Sequence, residues 1–377
     1  MNTLFDVEIP SWVNHSFSNP NSKIRIATLF SGIGAAEQAL KKLNLNHEIV
    51  FASDNDKHVK KSYFANYDID EARWYDDVKN INGTKYAGQV DILVGGSPCQ
   101  SFSGIGKQLG FEDTRGTLFY EFARIVKECQ PKVLIYENVR ALMSHDNKKT
   151  FQTVINTFNE IGYDYHFKVL NAKDFGIPQS RNRIFVIGFK EKTKFTFPEL
   201  IPLTTTTFDY LESVVDANYI RDDKTTQSIF KRQGTHGLAR VDTRVMNCQL
   251  VNQGRGHNGY FVSIEKQNSI ETKIAEKYFL SETKKNFIKE RLVGKYAQID
   301  KTVSQCQTAR QFTCWAGDFI TEQNRIRALT PRECLRLMGF DDSFKIVVSD
   351  AQMYKQCGNS IVCNVLEALF CQINIAK

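Results

Sequence analysis

No pair of cysteines in this 377-residue sequence has the C-x-x-C spacing, and the nine cysteines are an odd count. Both facts argue against a disulfide framework and against a structural zinc site. No apolar run approaches the roughly 18 residues that a membrane helix needs. The opening residues, Met1-Asn2-Thr3-Leu4-Phe5-Asp6, lack the basic and apolar regions of a secretory signal. Internal repeats and long low-complexity tracts are absent too. These absences lead us to expect a cytoplasmic protein of a reducing compartment, with no metal and no membrane partner. What is present is a 42% hydrophobic chain, long enough to bury one large α/β domain plus a smaller one. Its net charge of +7 favours a polyanionic partner.

Residues 1–22 are polar and aperiodic and read as an N-terminal extension. From Lys23 the pattern alternates between short apolar runs and amphipathic stretches. Strands are expected at Lys23 to Phe30, Glu48 to Ser53, Asp91 to Val94, Lys132 to Glu137, Tyr163 to Leu170 and Arg183 to Phe189. Helices are expected at Gly34 to Leu43, Lys57 to Tyr67, Thr117 to Cys129 and Thr150 to Ile161. In the third of these, Leu118, Phe122, Ile125 and Val126 share one face. Such alternation implies an α/β fold with a doubly wound, mostly parallel sheet. The texture changes from about residue 191. Between 205 and 330 there are 19 Lys and Arg against 14 Asp and Glu, in a stretch of poor periodicity. We expect a catalytic and cofactor-binding domain over 23–195, a smaller basic domain over 196–325, and a segment, 326–377, that returns to the first domain. Thr330-Pro331-Arg332-Glu333 reads as a capping-box helix start. A final helix is expected from about Ser360.

Six places carry chemistry. Phe30-Ser31-Gly32-Ile33-Gly34-Ala35 follows the first strand and opens the first helix, where glycines allow close approach by a ligand. Asp54 ends the second strand, where an acid commonly binds a ribose hydroxyl pair, and Asp76-Asp77-Val78 adds a further acidic loop. Gly95-Gly96-Ser97-Pro98-Cys99-Gln100-Ser101-Phe102-Ser103 follows the third strand and aims a cysteine from the sheet edge. Cys99 is the candidate nucleophile, because a thiolate near backbone donors or a cation is reactive. The loop behind it, with Gly104, Gly106 and Gly110, is able to close over a substrate. Glu137 ends an apolar strand, a costly position unless the acid is paired or used. Arg181 and Arg183 offer planar donors suited to a carbonyl or phosphate. Gly358-Asn359-Ser360 can cap a helix and face a ligand.

These segments resemble the DNA (cytosine-5)-methyltransferases, especially the compact bacterial and phage enzymes of restriction-modification type. The resemblance covers roughly 24–195 and 325–372. It rests on F-x-G-x-G at Phe30 to Gly34, P-C-Q at Pro98 to Gln100, E-N-V at Glu137 to Val139, Q-x-R-x-R at Gln179 to Arg183, R-x-L-T-x-R-E-x-x-R-L-M-G-F at Arg327 to Phe340, and G-N-S at Gly358 to Ser360. It implies S-adenosylmethionine as cofactor, S-adenosylhomocysteine as product, and a Rossmann-like catalytic domain beside a target recognition domain formed by the basic segment. The implied cofactor residues are Phe30, Gly32, Ile33, Gly34, Asp54, Asn55, Asp77, Val78, Pro98, Leu118, Asn359 and Ser360. The sequence departs from the family pattern at Thr28, where many members carry an acid, and at Asp54, where glutamate is usual.

The resemblance also implies a mechanism. Cys99 adds to C6 of a cytosine flipped out of duplex DNA, protonated Glu137 bonds N3, Arg183 holds O2, and Arg181 steadies Arg183 or contacts backbone. Gln100, Ser103, Arg255, His257, Gln307 and Arg310 are candidate DNA contacts, with Arg255 suited to guanine. The expected partner is double-stranded DNA, the default state a monomer, and a cognate restriction endonuclease a candidate companion. Three alternatives stay open: a transfer-RNA cytosine-5 methyltransferase, a catalytically silent DNA-binding regulator of the same fold, and, from the glycine loop alone, a nicotinamide-dependent oxidoreductase.

Overall fold

The computed structural model describes residues 12–98, 118–213 and 329–373 and, between 240 and 328, the backbone of short strands. Two compact units divide the chain: Met1–Leu170 with Asn182–Leu200 and Val365–Lys377, and Asn171–Arg181 with Ile201–Asn364.

The first unit is built on a seven-stranded sheet. Its strands are β1 (Ile24–Leu29), β2 (His47–Ser53), β3 (Trp74–Tyr75), β4 (Ile92–Gly95), β5 (Val133–Val139), β6 (Asp164–Asn171) and, after the two-residue β7 (Gln179–Ser180) of the second unit, β8 (Asn182–Phe189). The order is β3-β2-β1-β4-β5-β8-β6. Strands β3, β2, β1, β4 and β5 run parallel, and β8 runs antiparallel to β5. The mixed, mostly parallel sheet is the one the alternation implied. Strand β3 had no apolar run to announce it, since two residues are too short for a period to show.

The connecting helices are α1 (Ala35–Lys42), α2 (Lys57–Asn66), α3 (Leu118–Cys129) and α4 (Lys149–Glu160). Central strands covered on both faces must be apolar throughout, and Ile92, Leu93 and Val94 are all buried. Helix α3 buries more than the four-residue stripe expected of it: Phe119, Tyr120, Ala123 and Cys129 are buried too, while Leu118 is only partly so. Its Phe119 and Phe122 meet Tyr136 of β5 and Phe158 of α4 in ring contacts at centroid separations of 5.1–6.2 Å, each worth about 0.5–1.5 kcal/mol beyond burial. At the opposite end of the sheet, Asp91 accepts from the backbone N–H and guanidinium of Arg25 at 2.9–3.0 Å and pairs with Lys132 at 2.9 Å. That carboxylate ties the starts of β1, β4 and β5 together.

In the second unit, α5 (Pro331–Arg336) opens with the capping box read from the sequence. The Thr330 hydroxyl accepts from Glu333 N–H at 3.2 Å, and the Glu333 carboxylate accepts from Thr330 N–H at 2.8 Å. The expectation for Ser360 needs correction. Gly358 and Asn359 close a helix, α6 (Asp350–Asn359), and the final helix α7 (Cys363–Ile373) begins three residues later than expected. The missed signal was Ser349 as N-cap ahead of Met353, Tyr354, Gln356 and Cys357, which α6 buries. Among the described residues, no helix is long and apolar enough to cross a membrane.

Candidate active site

Because β1, β2, β3, β4 and β5 are parallel, the segments that leave their carboxyl ends gather on one edge of the sheet, where open α/β sheets bind ligands. The first is the loop Phe30–Gly34. Its backbone is left-handed at Phe30 (φ 54°), Gly32 (54°) and Gly34 (76°). That region is costly for a bulky side chain such as Phe30. A Cβ at Gly34 would lie 2.2 Å from the Tyr67 ring. The Tyr67 hydroxyl in turn sits 3.0 and 2.7 Å from the carbonyls of Ile33 and Gly34. Among the described residues, a Cβ at Gly32 would meet nothing within 4 Å.

Asp54, directly after β2, belongs to the same corner. Its carboxylate accepts from Gly32 N–H and from Asp56 N–H, each at 3.0 Å. It therefore joins the loop to the end of β2. Asn55 beside it is exposed. Asp77, past β3, accepts from Lys79 N–H at 2.9 Å, and Val78 is buried. The arrangement has groups suited to a ribose-bearing, positively charged cofactor: a glycine turn and carboxylates on two neighbouring strand ends.

The second cluster lies at the ends of β4 and β5. Glu137 and Arg183 sit diagonally on the antiparallel pair β5–β8, where Val139 faces Arg183 in register. The Arg183 Nε lies 3.1 Å from Glu137 Oε1, and the side chains are 13% and 12% exposed. Gly96 passes close beside this pair. A Cβ there would be 2.7 Å from the Glu137 carbonyl oxygen and 3.0 Å from its Oε2. The next residue is clamped. Asn138 Nδ2 donates to the Ser97 carbonyl at 2.9 Å and to the Tyr136 hydroxyl at 3.0 Å. The Ser97 and Tyr136 hydroxyls are 2.8 Å apart. Tyr136 thus has its ring in the aromatic core and its hydroxyl under the Gly96-Ser97-Pro98 segment. Sequence reading quoted Asn138 as part of a motif and missed Tyr136 as a support. The available signal was a phenol closing an otherwise aliphatic strand, since a buried phenol needs a partner.

Arg181 belongs to the second unit and is 3% exposed. Its Nη2 donates to the carbonyls of Gly358 (3.0 Å) and Ser360 (2.6 Å), and its backbone N–H donates to Asn171 Oδ1 at 2.9 Å. In this unit it fastens the end of α6, the G-N-S segment, with Ser360 buried and Asn359 exposed. Nearby in sequence, Gln179 Nε2 donates to the Leu337 carbonyl at 2.8 Å. Cys99, Gln100, Ser103, Arg255, Gln307 and Arg310 lie outside the described residues, and for His257 only the backbone of the short strand His257–Asn258 is described.

A family model of C-5 cytosine-specific DNA methylases matches residues 24–374. The chain is 32% identical to the orphan methyltransferase M.SPRI of Bacillus phage SPR, over 92% of this chain and 97% of that protein. It is 34% identical to the type II methyltransferase M.HhaI of Haemophilus parahaemolyticus, over 91% and 92% respectively. Among solved structures, the fold is similar to the Entamoeba histolytica methyltransferase EhMeth (TM-score 0.62, 16% identity, covering 93% of this chain and 97% of that one). It is also similar to the S. pombe Dnmt2 methyltransferase (TM-score 0.62, 18% identity, 94% and 98%).

Proposed function

The chain belongs to the C-5 cytosine-specific DNA methylases, and from that membership we propose how its own residues carry out methylation of cytosine C5. The transfer-RNA and nicotinamide readings give way to a DNA methylase. The cofactor, when bound, supplies a methyl group on a positively charged sulfur.

We assign the cofactor to the corner made by Phe30–Gly34, Asp54, Asn55, Asp77 and Val78, with Pro98 and Leu118 of the same unit completing the set. Carboxylates on adjacent strand ends suit both ribose hydroxyls and a sulfonium charge. Duplex DNA is the partner, and its target base leaves the stack at a cost of a few kcal/mol, which backbone contacts from the basic segment 205–330 help to offset. The Cys99 thiolate adds to C6, forming an Sγ–C6 bond and pushing electron density to C5. Glu137, which takes up a proton from solvent as the base enters, donates to N3, and Arg183 donates to O2. After C5 is methylated it loses its proton, the Sγ–C6 bond breaks, and aromaticity returns.

The observation that supports this reading most is the approach of Gly96, three residues before Cys99, to the Glu137–Arg183 pair. Before a base arrives, the carboxylate and guanidinium neutralise each other. A cytosine edge offers N3 and O2 to the same two groups. Arg181 acts at one remove, by holding the G-N-S segment through Gly358 and Ser360.

The test is to express the chain in cells whose DNA lacks 5-methylcytosine and to sequence the methylated positions. Wild type should mark one short recognition sequence and Cys99→Ala none. Methylation by Cys99→Ala at wild-type density would reject the thiolate mechanism.

A further inference from the structure

Glu37 is a charged residue type with 0% exposure, it lies in the first turn of α1, and the mechanism above gives it no task. Its Oε1 receives the Tyr63 hydroxyl of α2 at 2.5 Å and lies 2.9 Å from the Thr28 hydroxyl of β1. Thr28 Oγ1 is also 2.8 Å from the Ser31 hydroxyl in the cofactor loop. Ser31 is stitched to Ser53, the last residue of β2: its hydroxyl is 3.1 Å from the Ser53 carbonyl and accepts from Ser53 N–H at 3.0 Å, while its own N–H donates to the Ser53 carbonyl at 2.9 Å. One buried chain of polar contacts therefore runs from α2 through α1 and β1 into the loop, and ends one residue before Asp54.

We propose that Glu37 is a positioning residue for the cofactor, a neutral carboxylic acid that donates to Thr28 and, through Thr28 and Ser31, holds the cofactor loop in register with Asp54. The inference rests on the cofactor assignment made above.

Proton counting carries it. Tyr63 to Glu37, Glu37 to Thr28, Thr28 to Ser31 and Ser31 to a carbonyl make four contacts in series. Each needs one proton, and the three hydroxyls supply three. A carboxyl O–H at Oε1 supplies the fourth, and only such an atom both accepts from Tyr63 and donates to Thr28. An ionised Glu37 would take the Thr28 proton for itself and leave the contact to Ser31 or the one beyond it unmade. Burial acts in the same direction. It pushes the Glu37 carboxyl above the usual range, against the opposing pull of the Tyr63 and Thr28 hydrogen bonds. The second oxygen, Oε2, is buried with no hydrogen-bond partner, a position tolerable for the carbonyl oxygen of a neutral acid and costly for a carboxylate.

The experiment measures S-adenosylmethionine binding to the full chain by calorimetry for the wild type and for Thr28→Ser, Thr28→Val, Glu37→Gln and Asp54→Ala. Thr28→Val and Glu37→Gln should weaken affinity about tenfold, the equivalent of one hydrogen bond, and Thr28→Ser should stay within about threefold. The KM for the cofactor should rise by the same factor as Kd, with a smaller change in kcat. The infrared difference between wild type and Glu37→Gln at neutral pH should show a protonated carboxylic C=O band. Carboxylate bands in its place, or wild-type affinity in Thr28→Val, would overturn the inference. Should Glu37→Gln fail to fold, the near-isosteric Thr28→Ser and Thr28→Val pair decides alone. Loss of binding in Asp54→Ala with Thr28→Val unaffected overturns the role of Glu37 only. Wild-type affinity in Asp54→Ala overturns the cofactor assignment and this inference with it.

Discussion

Replacing Gly96 by alanine adds one methyl group at the place where three parts of the site converge. The new Cβ would stand 2.7 Å from the Glu137 carbonyl oxygen, and ordinary contact begins at 3.4 Å. The obstacle is backbone, so no side-chain rotation relieves it. The end of β5 and the Gly96-Ser97-Pro98 segment must separate by about 0.7 Å, close to the 1 Å misplacement that can cost 10²-fold in rate. The separation also strains the bond from Asn138 to the Ser97 carbonyl. Crowding of this kind destabilises by about 1–3 kcal/mol, which leaves a domain of this size folded. We expect kcat on duplex DNA to fall about 10²-fold. Cofactor affinity should fall by much less than kcat, because only Pro98 of the assigned cofactor set lies in the displaced segment and the Phe30–Gly34 corner does not. Stopped-flow methyl transfer and calorimetry on the same preparation give both numbers. A kcat within about threefold of wild type would refute the claim that Glu137 and the Cys99 segment work at a fixed spacing.

Other perturbations test separate parts of the account. Tyr136→Phe removes the hydroxyl shared by Ser97 and Asn138 and should cost about 1–3 kcal/mol in urea denaturation, with a larger loss in kcat than in cofactor affinity. Asp91 is a pH probe. Burial works against its charge, but the hydrogen bonds from Arg25 and Lys132 outweigh that and lower its carboxyl to about 2. The folded value lies below the unfolded one, so this contribution, about 2 kcal/mol, is present above pH ~4 and is lost as pH falls towards 2. Asp91→Asn should remove that part of the acid-denaturation slope, and an unchanged slope would exclude Asp91 as its source. Lys148 precedes α4 at φ 72°. Lys148→Gly should therefore raise stability by about 0.5–1 kcal/mol despite deleting a side chain, as read by thermal unfolding.

The sheet was legible because its central strands are unbroken apolar runs ending in glycine or acid, as at Leu93-Val94-Gly95 and Phe51-Ala52-Ser53-Asp54. The glycine loop after β1 was legible for a related reason: a left-handed turn that crowds a neighbouring ring at Gly34 leaves a glycine in the sequence. Supports reached through long-range contacts were not legible. The partnership of Tyr136 with Ser97 spans 39 residues and that of Arg181 with Gly358 spans 177, and no local spacing encodes either. Helix α6 escaped because its polar residues Gln352, Lys355 and Gln356 dilute the apolar stripe. Glu37 sits within Ala35-Ala36-Glu37-Gln38-Ala39-Leu40, where a single acid reads as the solvent face. Only the arrival of Tyr63 and Thr28 reveals that the face is buried.

The central claim is that Cys99 bonds the pyrimidine ring while Glu137 and Arg183 hold its edge. It is tested most directly by incubating the protein and cofactor with its recognition duplex carrying 5-fluorocytosine at the target, then measuring the intact mass under denaturing conditions. Fluorine at C5 blocks the final proton loss, so wild type should be trapped as a protein–DNA adduct mapped to the Cys99 peptide, and Cys99→Ala should give none. Methyl transfer to ordinary duplex without any adduct on the fluorinated one, or an adduct mapped to a different cysteine, would contradict the account.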